Sequence, residues 1–140
     1  MLINEALFSS NKEDWETPPD LFAKLDKEFH FDLDACALPI NAKCKKYYTP
    51  DINGLLQDWK GCVWYNPPYG REINKWVQKA KEEHEKNGTK VVMLLPARTD
   101  TKWFHDYIYG NCEIRFLKGR LKFVGAKNGA PFPSMIAIFK

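Results

Sequence analysis

The sequence predicts an α/β protein, in which a sheet carries helices on both faces and has antiparallel strands near its C-terminus. Helical and strand-like segments alternate through most of the chain, and the C-terminal part is rich in strand-like sequence. "KVVMLLPA", residues 90–97, is a continuous apolar run typical of a parallel strand buried on both faces. The chain of 140 residues has the length of one domain. We therefore expect a single unit over residues 1–140, with residues 1–14 as its flexible part.

The first helix is predicted from "WETPPDLFAKLDKEF", residues 15–29. Thr17 fits the N-cap position, and Pro18 fits the first helical position, where a missing N–H costs nothing. The apolar residues that follow recur at helical spacing and would form one face: Leu21, Phe22, Leu25 and Phe29. "FHFDLDACAL", residues 29–38, then alternates apolar and polar residues as a short strand does.

The remaining elements follow in the same way. "CVWYN", residues 62–66, predicts a strand, and residues 72–86 predict a helix that ends at Asn87-Gly88. A short helix is expected at residues 101–109. "CEIRFLKGRLKFV", residues 112–124, predicts a strand, a turn at Gly119 and a second strand, and "SMIAIFK" predicts the last strand. Residues 38–58 show no periodicity.

Charge is distributed unevenly along the chain. Residues 1–40 carry nine acidic and three basic residues, whereas residues 41–140 carry nine acidic and eighteen basic residues. Residues 115–127 contain five basic residues and no acidic one, which suits phosphate contacts; a solvated lysine-rich face is the alternative.

No metal and no membrane contact are expected. The four cysteines form no CxxC pair and have no histidine at ligand spacing, which indicates reduced thiols: Cys36, Cys44, Cys62 and Cys112. No apolar run approaches the roughly 20 residues that span a bilayer. The N-terminus also lacks the features of a secretory signal, so we expect a cytoplasmic protein.

Distinctive residues follow three predicted strands. Asp34, Asn66 and Pro96 each stand at a carboxyl end, where open α/β sheets bind their ligands. In "VWYNPPYG", residues 63–70, two consecutive prolines cannot continue a strand ladder and impose a stiff, extended exit. Such an exit would hold the neighbouring amide and aromatic side chains rigidly.

The order of these motifs resembles that of a known family. "WETPP", "DLDACA", "DW", "NPPY" and "LLPARTDTKWFH" occur in the order found in the S-adenosylmethionine (AdoMet)-dependent N6-adenine DNA methyltransferases, above all the short phage-type enzymes. The resemblance covers nearly the whole chain from Trp15. It implies a trimmed Rossmann-like methyltransferase sheet, AdoMet as cofactor and double-stranded DNA as substrate. It also implies a phage or prophage gene expressed in a bacterial cell.

The resemblance implies catalytic roles for "NPPY". The Asn66 side-chain oxygen and the Pro67 carbonyl would accept hydrogen bonds from the adenine amine, whose lone pair is otherwise delocalised into the ring. Pro68 would stiffen the loop. Tyr69 would stack on an adenine flipped out of the duplex.

Cofactor contacts are also implied by the resemblance. The turn after the first strand would contact the methionine end, although Ala37 stands where relatives often have glycine. Thr17 would bind the cofactor's carboxylate, with helix capping as the alternative, and Asp58 would contact its adenine, with a simple turn as the alternative. Asp51 is a weak candidate for the ribose. The implied cofactor-binding residues are Thr17, Asp34, Ala35, Cys36, Ala37 and Asp58.

DNA contacts are expected from three places in the chain. Arg98, Thr99 and Trp103 are candidates for phosphate or base contacts, with helix capping and packing as the alternative. The basic turn contributes Lys118, Arg120 and Lys122, and "PFPS", residues 131–134, adds an aromatic ring. No part of the chain is long enough for a separate target-recognition domain, so sequence specificity would come from these loops or from a homodimer.

Two other functions stay open at this point. The same pair of acceptors would serve methylation of an RNA base or of a protein glutamine amide, although the basic charge of residues 41–140 favours nucleic acid. A catalytically idle DNA-binding protein is the third reading. Intact "NPPY" argues against it, since a pure binder has no need of amine acceptors.

Overall fold

The computed structural model describes residues 15–140, and the predicted flexible part, residues 1–14, lies outside the described residues. We number the helices and strands in chain order. A 3₁₀ turn at Gly54–Leu56 and a π-helical turn at Phe104–Ile108 complete the regular structure. The helices and strands are α1 (Pro19–Phe29), β1 (Leu33–Asp34), β2 (Cys62–Tyr65), α2 (Ile73–Asn87), β3 (Lys90–Pro96), β4 (Glu113–Phe116) and β5 (Ser134–Phe139).

The strands form one open mixed sheet in the order β1-β2-β3-β5-β4. β1, β2 and β3 are parallel, whereas β5 runs antiparallel to both of its neighbours, β3 and β4. The α/β class and the antiparallel C-terminal strands are therefore confirmed. β5 is buried along its whole length and β3 everywhere except at Lys90, which explains their unbroken apolar sequences.

The two helices pack on opposite faces of this sheet. Trp64 and Tyr65 are neighbours in β2, so their side chains point to opposite faces. The ring of Phe22 from α1 lies 5.4 Å from that of Trp64. On the other face, the Tyr65 hydroxyl donates to the carbonyl of Trp76 in α2 at 2.8 Å. β2 is thus covered on both sides.

The start of α1 differs from the prediction, whereas the bounds of α2 agree with it. α1 begins at Pro19, with Pro18 in the N-cap position and no side-chain cap, so the prediction that Thr17 caps this helix is wrong. The reason is that the Thr17 hydroxyl accepts a hydrogen bond from Asn66 instead. α2 agrees with the prediction within one residue at each end and stops at Gly88, whose φ of 69° favours glycine.

Two predicted strands are shorter or absent. β1 has two residues because α1 continues through Phe29 and His30 then adopts a left-handed conformation, which breaks the expected alternation. Residues 120–133 form no strand. Phe123 is buried against Trp15, and the Val124 N–H donates to the Glu16 carbonyl, so this segment folds over the N-terminal part of the described chain.

The region without periodicity covers the outer edge of β1. Tyr47 forms an isolated parallel bridge with Asp34. The Asp34 N–H donates to the Lys46 carbonyl, and the Tyr48 N–H donates to the Asp34 carbonyl, each at 3.0 Å. Residues 46–48 thus take the place that a further strand would occupy.

Trp59 anchors the connection into β2. The side chain is fully buried, and its indole N–H donates to the Gly54 carbonyl at 2.8 Å. Its backbone N–H donates to a carboxylate oxygen of Glu83 in α2 at 2.5 Å, and its carbonyl accepts from the Thr89 hydroxyl at 2.6 Å. Buried Glu83 therefore joins α2 to the segment before β2.

We expect Glu83→Ala to lower the free energy of unfolding by about 2 kcal/mol, because it leaves the buried Trp59 N–H without a partner. Glu85→Ala, two residues along the same helix, removes only an exposed ion pair with Lys81 and should cost less than about 0.5 kcal/mol. Urea unfolding of both variants measures the difference. Equal losses would show that the Glu83 contact contributes no more than a surface charge.

Candidate active site

A cavity of about 590 Å³ opens beside the carboxyl ends of β1 and β2. The turn after β1, the first three residues of "NPPY" and the loop around the 3₁₀ turn form its walls. The lining residues on which the site depends are Glu16, Thr17, Asp34, Ala35, Cys36, Ala37, Lys43, Tyr48, Asn53, Gly54, Asn66, Pro67 and Pro68. The structure therefore brings the predicted catalytic loop and most of the predicted cofactor residues together.

Asn66 is held in one orientation by its amide nitrogen. Nδ2 donates to the Trp15 carbonyl and, at 3.0 Å, to the Thr17 hydroxyl. A backbone carbonyl can only accept, so the nitrogen must face Trp15 and the oxygen must face away. Asn66 Oδ1 is buried and has no hydrogen-bond partner among residues 15–140. A buried acceptor without a partner is costly, and such atoms mark sites that receive a donor from elsewhere.

The two prolines and the tyrosine of the loop differ in their surroundings. Pro67 is buried, Pro68 is half-buried, and both line the cavity. Tyr69 lies outside it, only 4% exposed, and its hydroxyl donates to the Leu94 carbonyl at 3.2 Å. Its ring meets those of Phe123 and Phe132 edge-on. Burial raises the pKa of Tyr69 well above its ordinary value, so it remains a neutral phenol.

Asp34 places a carboxylate in the cavity wall. It is 3% exposed, and its oxygens accept from the backbone N–H groups of Cys36 at 3.2 Å and Lys43 at 3.0 Å. Burial raises the pKa of Asp34 to about 6, and these N–H groups oppose the shift by stabilising the charged form. At neutral pH the site therefore holds a buried negative charge.

The closest backbone approach in this wall occurs at Gly54. A Cβ atom there would lie 2.2 Å from the Ala35 carbonyl oxygen, so only glycine fits. Ala37 is buried, and its N–H donates to the Tyr48 carbonyl at 3.0 Å. The site thus requires a glycine where the 3₁₀ turn meets the turn after β1, whereas alanine is accommodated at position 37.

Lys43 is a cavity residue that the sequence does not reveal. Its backbone bonds to Asp34, and its ammonium lies 3.8 Å from a carboxylate oxygen of Glu16, which also lines the cavity. Residues 38–58 carry no periodic signal, so neither Lys43 nor Gly54 could be singled out from the sequence.

The structure does not bring Asp58 or Asp51 to the cavity. Both are exposed, and neither belongs to its lining. The Asp58 carboxylate lies 3.7 Å from the Lys86 ammonium, while its backbone carbonyl accepts from the Tyr48 hydroxyl. The tryptophan that follows it in "DW" anchors the fold, as described above.

A second cavity, of about 430 Å³, is lined by the last residue of "NPPY" and the residues that follow it. It includes the predicted substrate residues Arg98 and Trp103, but not Thr99. Arg71, which no motif singled out, also lines it. The described residues that line it are Tyr69, Gly70, Arg71, Ile73, Asn74, Pro96, Arg98, Thr101 and Trp103.

The basic turn lies outside both cavities. Lys118, Arg120 and Lys122 are exposed, and Arg120 donates to the Ala130 carbonyl at 3.3 Å. Arg115 from the same stretch instead binds Glu28 through both terminal nitrogens at 2.7 Å, and Glu113 through Nε at 2.6 Å. Arg115 is therefore held in a structural ion pair.

Neither metal ligands nor a membrane span stand out in residues 15–140. Within that range no group of three or more His, Cys, Asp or Glu side chains could hold a metal ion, and the four cysteines are half-buried. None of its helices is long and apolar enough to cross a membrane.

Comparison with known proteins agrees with the motifs. The family model described as DNA N-6-adenine-methyltransferase (Dam) matches residues 5–139. The DNA N-6-adenine-methyltransferase of Haemophilus phage HP1 (strain HP1c1) is 34% identical over 140 residues, 94% of this chain and 80% of that protein. The enzyme of the same name from Escherichia phage T1 is 34% identical over 133 residues, 82% of this chain and 55% of that protein. The chain belongs to the DNA N-6-adenine-methyltransferase (Dam) family.

Proposed function

We propose that the protein transfers a methyl group from AdoMet to N6 of adenine in DNA. The observation that carries this proposal is the buried, unpartnered Oδ1 of Asn66 in a loop that lines the larger cavity. The two hydrogen bonds donated by the amide nitrogen hold this oxygen in place. An exocyclic amine requires such a fixed acceptor. The family assignment gives the amine its identity as adenine N6.

The chemistry asks for acceptors rather than for a strong base. The adenine amine is a poor nucleophile because its lone pair is delocalised into the ring. Asn66 Oδ1 and the Pro67 carbonyl would accept its two protons and stabilise a pyramidal nitrogen, whose lone pair is then free to react. Because the site is fixed before the substrate arrives, little reorganisation is needed when charge develops on the nitrogen.

The larger cavity suits AdoMet. Its volume of about 590 Å³ lies in the range of ligand pockets, roughly 300 to 1,000 Å³. Asp34 and its turn, Asp34 to Ala37, would hold the cationic methionine end, and the Thr17 hydroxyl, which accepts from Asn66, still has a proton to donate to the carboxylate. When bound, AdoMet supplies the electrophilic methyl group. Asp58 is left out of this set because its carboxylate lies outside the cavity.

The sheet supports the trimmed Rossmann-like interpretation. β1, β2 and β3 are parallel, and the cavity lies beside the carboxyl ends of β1 and β2, where doubly wound sheets bind ligands. Residues 46–48 bond to the edge of β1 in place of a further strand. A shortened sheet of this kind lacks an outer strand but still provides the strand ends that would form the wall of the cofactor site.

Stacking of a flipped adenine on Tyr69 requires a rearrangement. A stacked base covers a whole ring face, whereas Tyr69 is 4% exposed and packs against Phe123 and Phe132. These two rings belong to the segment that follows the basic turn. We infer that DNA binding moves this segment and so opens the ring face of Tyr69 to the base.

The reaction is tested directly by incubating the protein with labelled AdoMet and duplex DNA, digesting the DNA and identifying the labelled nucleoside. We expect the labelled nucleoside to be N6-methyldeoxyadenosine. Label found only in RNA or in protein would overturn the proposal, as would binding of DNA without any transfer.

Replacing Asn66 distinguishes a role in accepting the amine protons from a role in binding the cofactor. We expect Asn66→Ala to lower the rate of methyl transfer by about 100-fold or more, because it removes a preorganised acceptor. The affinity for AdoMet should stay within a few-fold, since Asp34 and its turn are unchanged. Single-turnover kinetics and calorimetry measure the two effects.

The matched control is Asn111→Ala, which removes an exposed asparagine in a turn far along the chain. It should keep both the rate and the affinity of the parent protein. Turnover retained in Asn66→Ala would mean that "NPPY" is only a structural turn. An equal loss of AdoMet affinity would mean that the side chain acts by holding Thr17.

Protonation of Asp34 should weaken AdoMet binding. The pKa of about 6 means that the carboxylate is charged at pH 8 and mostly neutral at pH 5, where its attraction for a cationic ligand is lost. We expect AdoMet to bind about tenfold more weakly at pH 5 than at pH 8. Calorimetry across this range provides the measurement.

Asp34→Asn should bind AdoMet weakly and lose this pH dependence. Asp20→Asn, which changes an exposed carboxylate in the first turn of α1, should keep the parent's profile. Circular dichroism of both variants checks that the fold is intact. A profile of Asp34→Asn that matches the parent would remove Asp34 from the binding site.

A further inference from the structure

The four arginines of the chain fall into two groups. Arg115 is bound by two glutamates, and Arg120 donates to a backbone carbonyl. Arg71 and Arg98 form no ion pair with any residue of 15–140. Both are exposed, and both line the second cavity. Among residues 15–140, the two arginines whose guanidinium groups form neither an ion pair nor a hydrogen bond thus share one cavity.

The composition of this cavity favours an anion. Among residues 15–140, no aspartate or glutamate lines it, so no acidic side chain of that range offsets the two guanidinium groups in the wall. Asn74 adds an amide that can donate hydrogen bonds, whereas the Thr101 hydroxyl already donates to the Arg98 carbonyl at 2.7 Å. Arginine presents a planar fork that binds phosphate oxygens in pairs. The volume of about 430 Å³ holds a group of nucleotide size rather than a single small ion.

The cavity adjoins the site proposed for the target base. Asn66, Pro67 and Pro68 line the larger cavity, whereas Tyr69 and the two residues after it line the second one. Consecutive residues of the "NPPY" loop therefore line the two cavities. Whatever binds in the second cavity lies directly beside the base-binding end of this loop.

Arg98 is tied to the same loop through aromatic contacts. Its guanidinium lies 5.8 Å from the ring centroid of Phe132, and that ring lies 5.5 Å from the ring of Tyr69. The positive charge is thus held close to the tyrosine on which the base would stack. Arg71 follows Tyr69 by two residues and approaches the cavity from the start of α2.

We propose that the second cavity binds a phosphodiester of the DNA strand beside the target adenine, with Arg71 and Arg98 as its two cationic contacts. The proposal rests on the proposed function, because the polymer that supplies the phosphate is the DNA to be methylated. A phosphate fixed there positions the backbone from which the base is rotated into the larger cavity.

The first test measures DNA affinity at several salt concentrations for Arg71→Ala and Arg98→Ala. Each variant should flatten the slope of log affinity against log salt by about one unit, as loss of one phosphate contact requires. Each should also weaken binding about tenfold at low salt, in line with a lost charge-assisted hydrogen bond. AdoMet affinity should be unchanged.

The matched control is Lys75→Ala, which removes the same charge one helical turn from Arg71. Lys75 is exposed and paired with Glu72 at 3.0 Å, and it does not line the cavity. It should keep the slope of the parent protein. Arg71→Lys should also keep the slope, because the positive charge remains. It should lower DNA affinity, because lysine lacks the planar guanidinium that binds two phosphate oxygens. A slope change in Lys75→Ala equal to that in Arg71→Ala would overturn the proposal, because it would reflect net charge alone.

The second test locates the contact. Once the methylated adenine has been found by sequencing, duplexes are made with a single uncharged methylphosphonate at each phosphate that flanks it. For the parent protein, one of these replacements should weaken binding about tenfold. For Arg71→Ala the same replacement should have no further effect, since the contact is already lost.

The outcomes separate this proposal from the proposed function. If the parent protein neither binds nor methylates duplex DNA, the proposed function itself fails. If it does both, while Arg71→Ala and Arg98→Ala keep its salt slope, only the phosphate site is overturned. A methylphosphonate effect that is additive with Arg71→Ala, or a slope change seen with an RNA duplex but not with DNA, also overturns it.

Discussion

The hydrogen bonds that Asn66 donates to Trp15 and Thr17 are the contacts on which the arrangement of the site depends. They fix the amide so that its oxygen has no hydrogen-bond partner within residues 15–140. They also attach the segment before α1 to the end of β2. Through the next residue of that segment, Glu16, whose carbonyl accepts from Val124, the same attachment reaches the loop that follows the basic turn. One side chain therefore connects the proposed cofactor wall, the proposed catalytic loop and the proposed DNA-binding segment.

The parts of the fold that the sequence predicts are those whose burial leaves a local pattern. β3 and β5 are apolar along nearly their whole length because helices and loops cover both faces, and α2 ends where glycine permits a left-handed residue. β1 left no such pattern. Its two residues are held by contacts with residues 46–48, far along the chain, and a pairing of this kind has no periodic signature. Local propensity also favoured Thr17 as a helix cap, but a tertiary hydrogen bond prevailed.

In the same way, some residues of the site could be identified from the local sequence, whereas others depend on tertiary contacts. "NPPY" and Asp34 could be identified because their chemistry is carried by consecutive residues in recognisable motifs. Gly54 and Lys43 could not, since each matters only through what folds against it: a carbonyl oxygen 2.2 Å from the missing Cβ, and the buried carboxylate of Asp34. Arg71 belongs to this second group. Its sequence neighbours give no reason to separate it from other surface cations, whereas the lining of the second cavity does.

The acidic and basic parts of the sequence supply charged residues to different cavities. The acidic N-terminal part supplies Glu16 and Asp34 to the larger cavity, which suits a cationic cofactor. The basic remainder supplies Arg71 and Arg98 to the second cavity, which suits a phosphate. Consecutive residues of the "NPPY" loop line both cavities, so the proposed methyl donor and the proposed phosphate would bind next to the same loop. In the proposed reaction, the different charges of the two linings favour each ligand in its own cavity, and the loop would hold the adenine amine where both substrates meet.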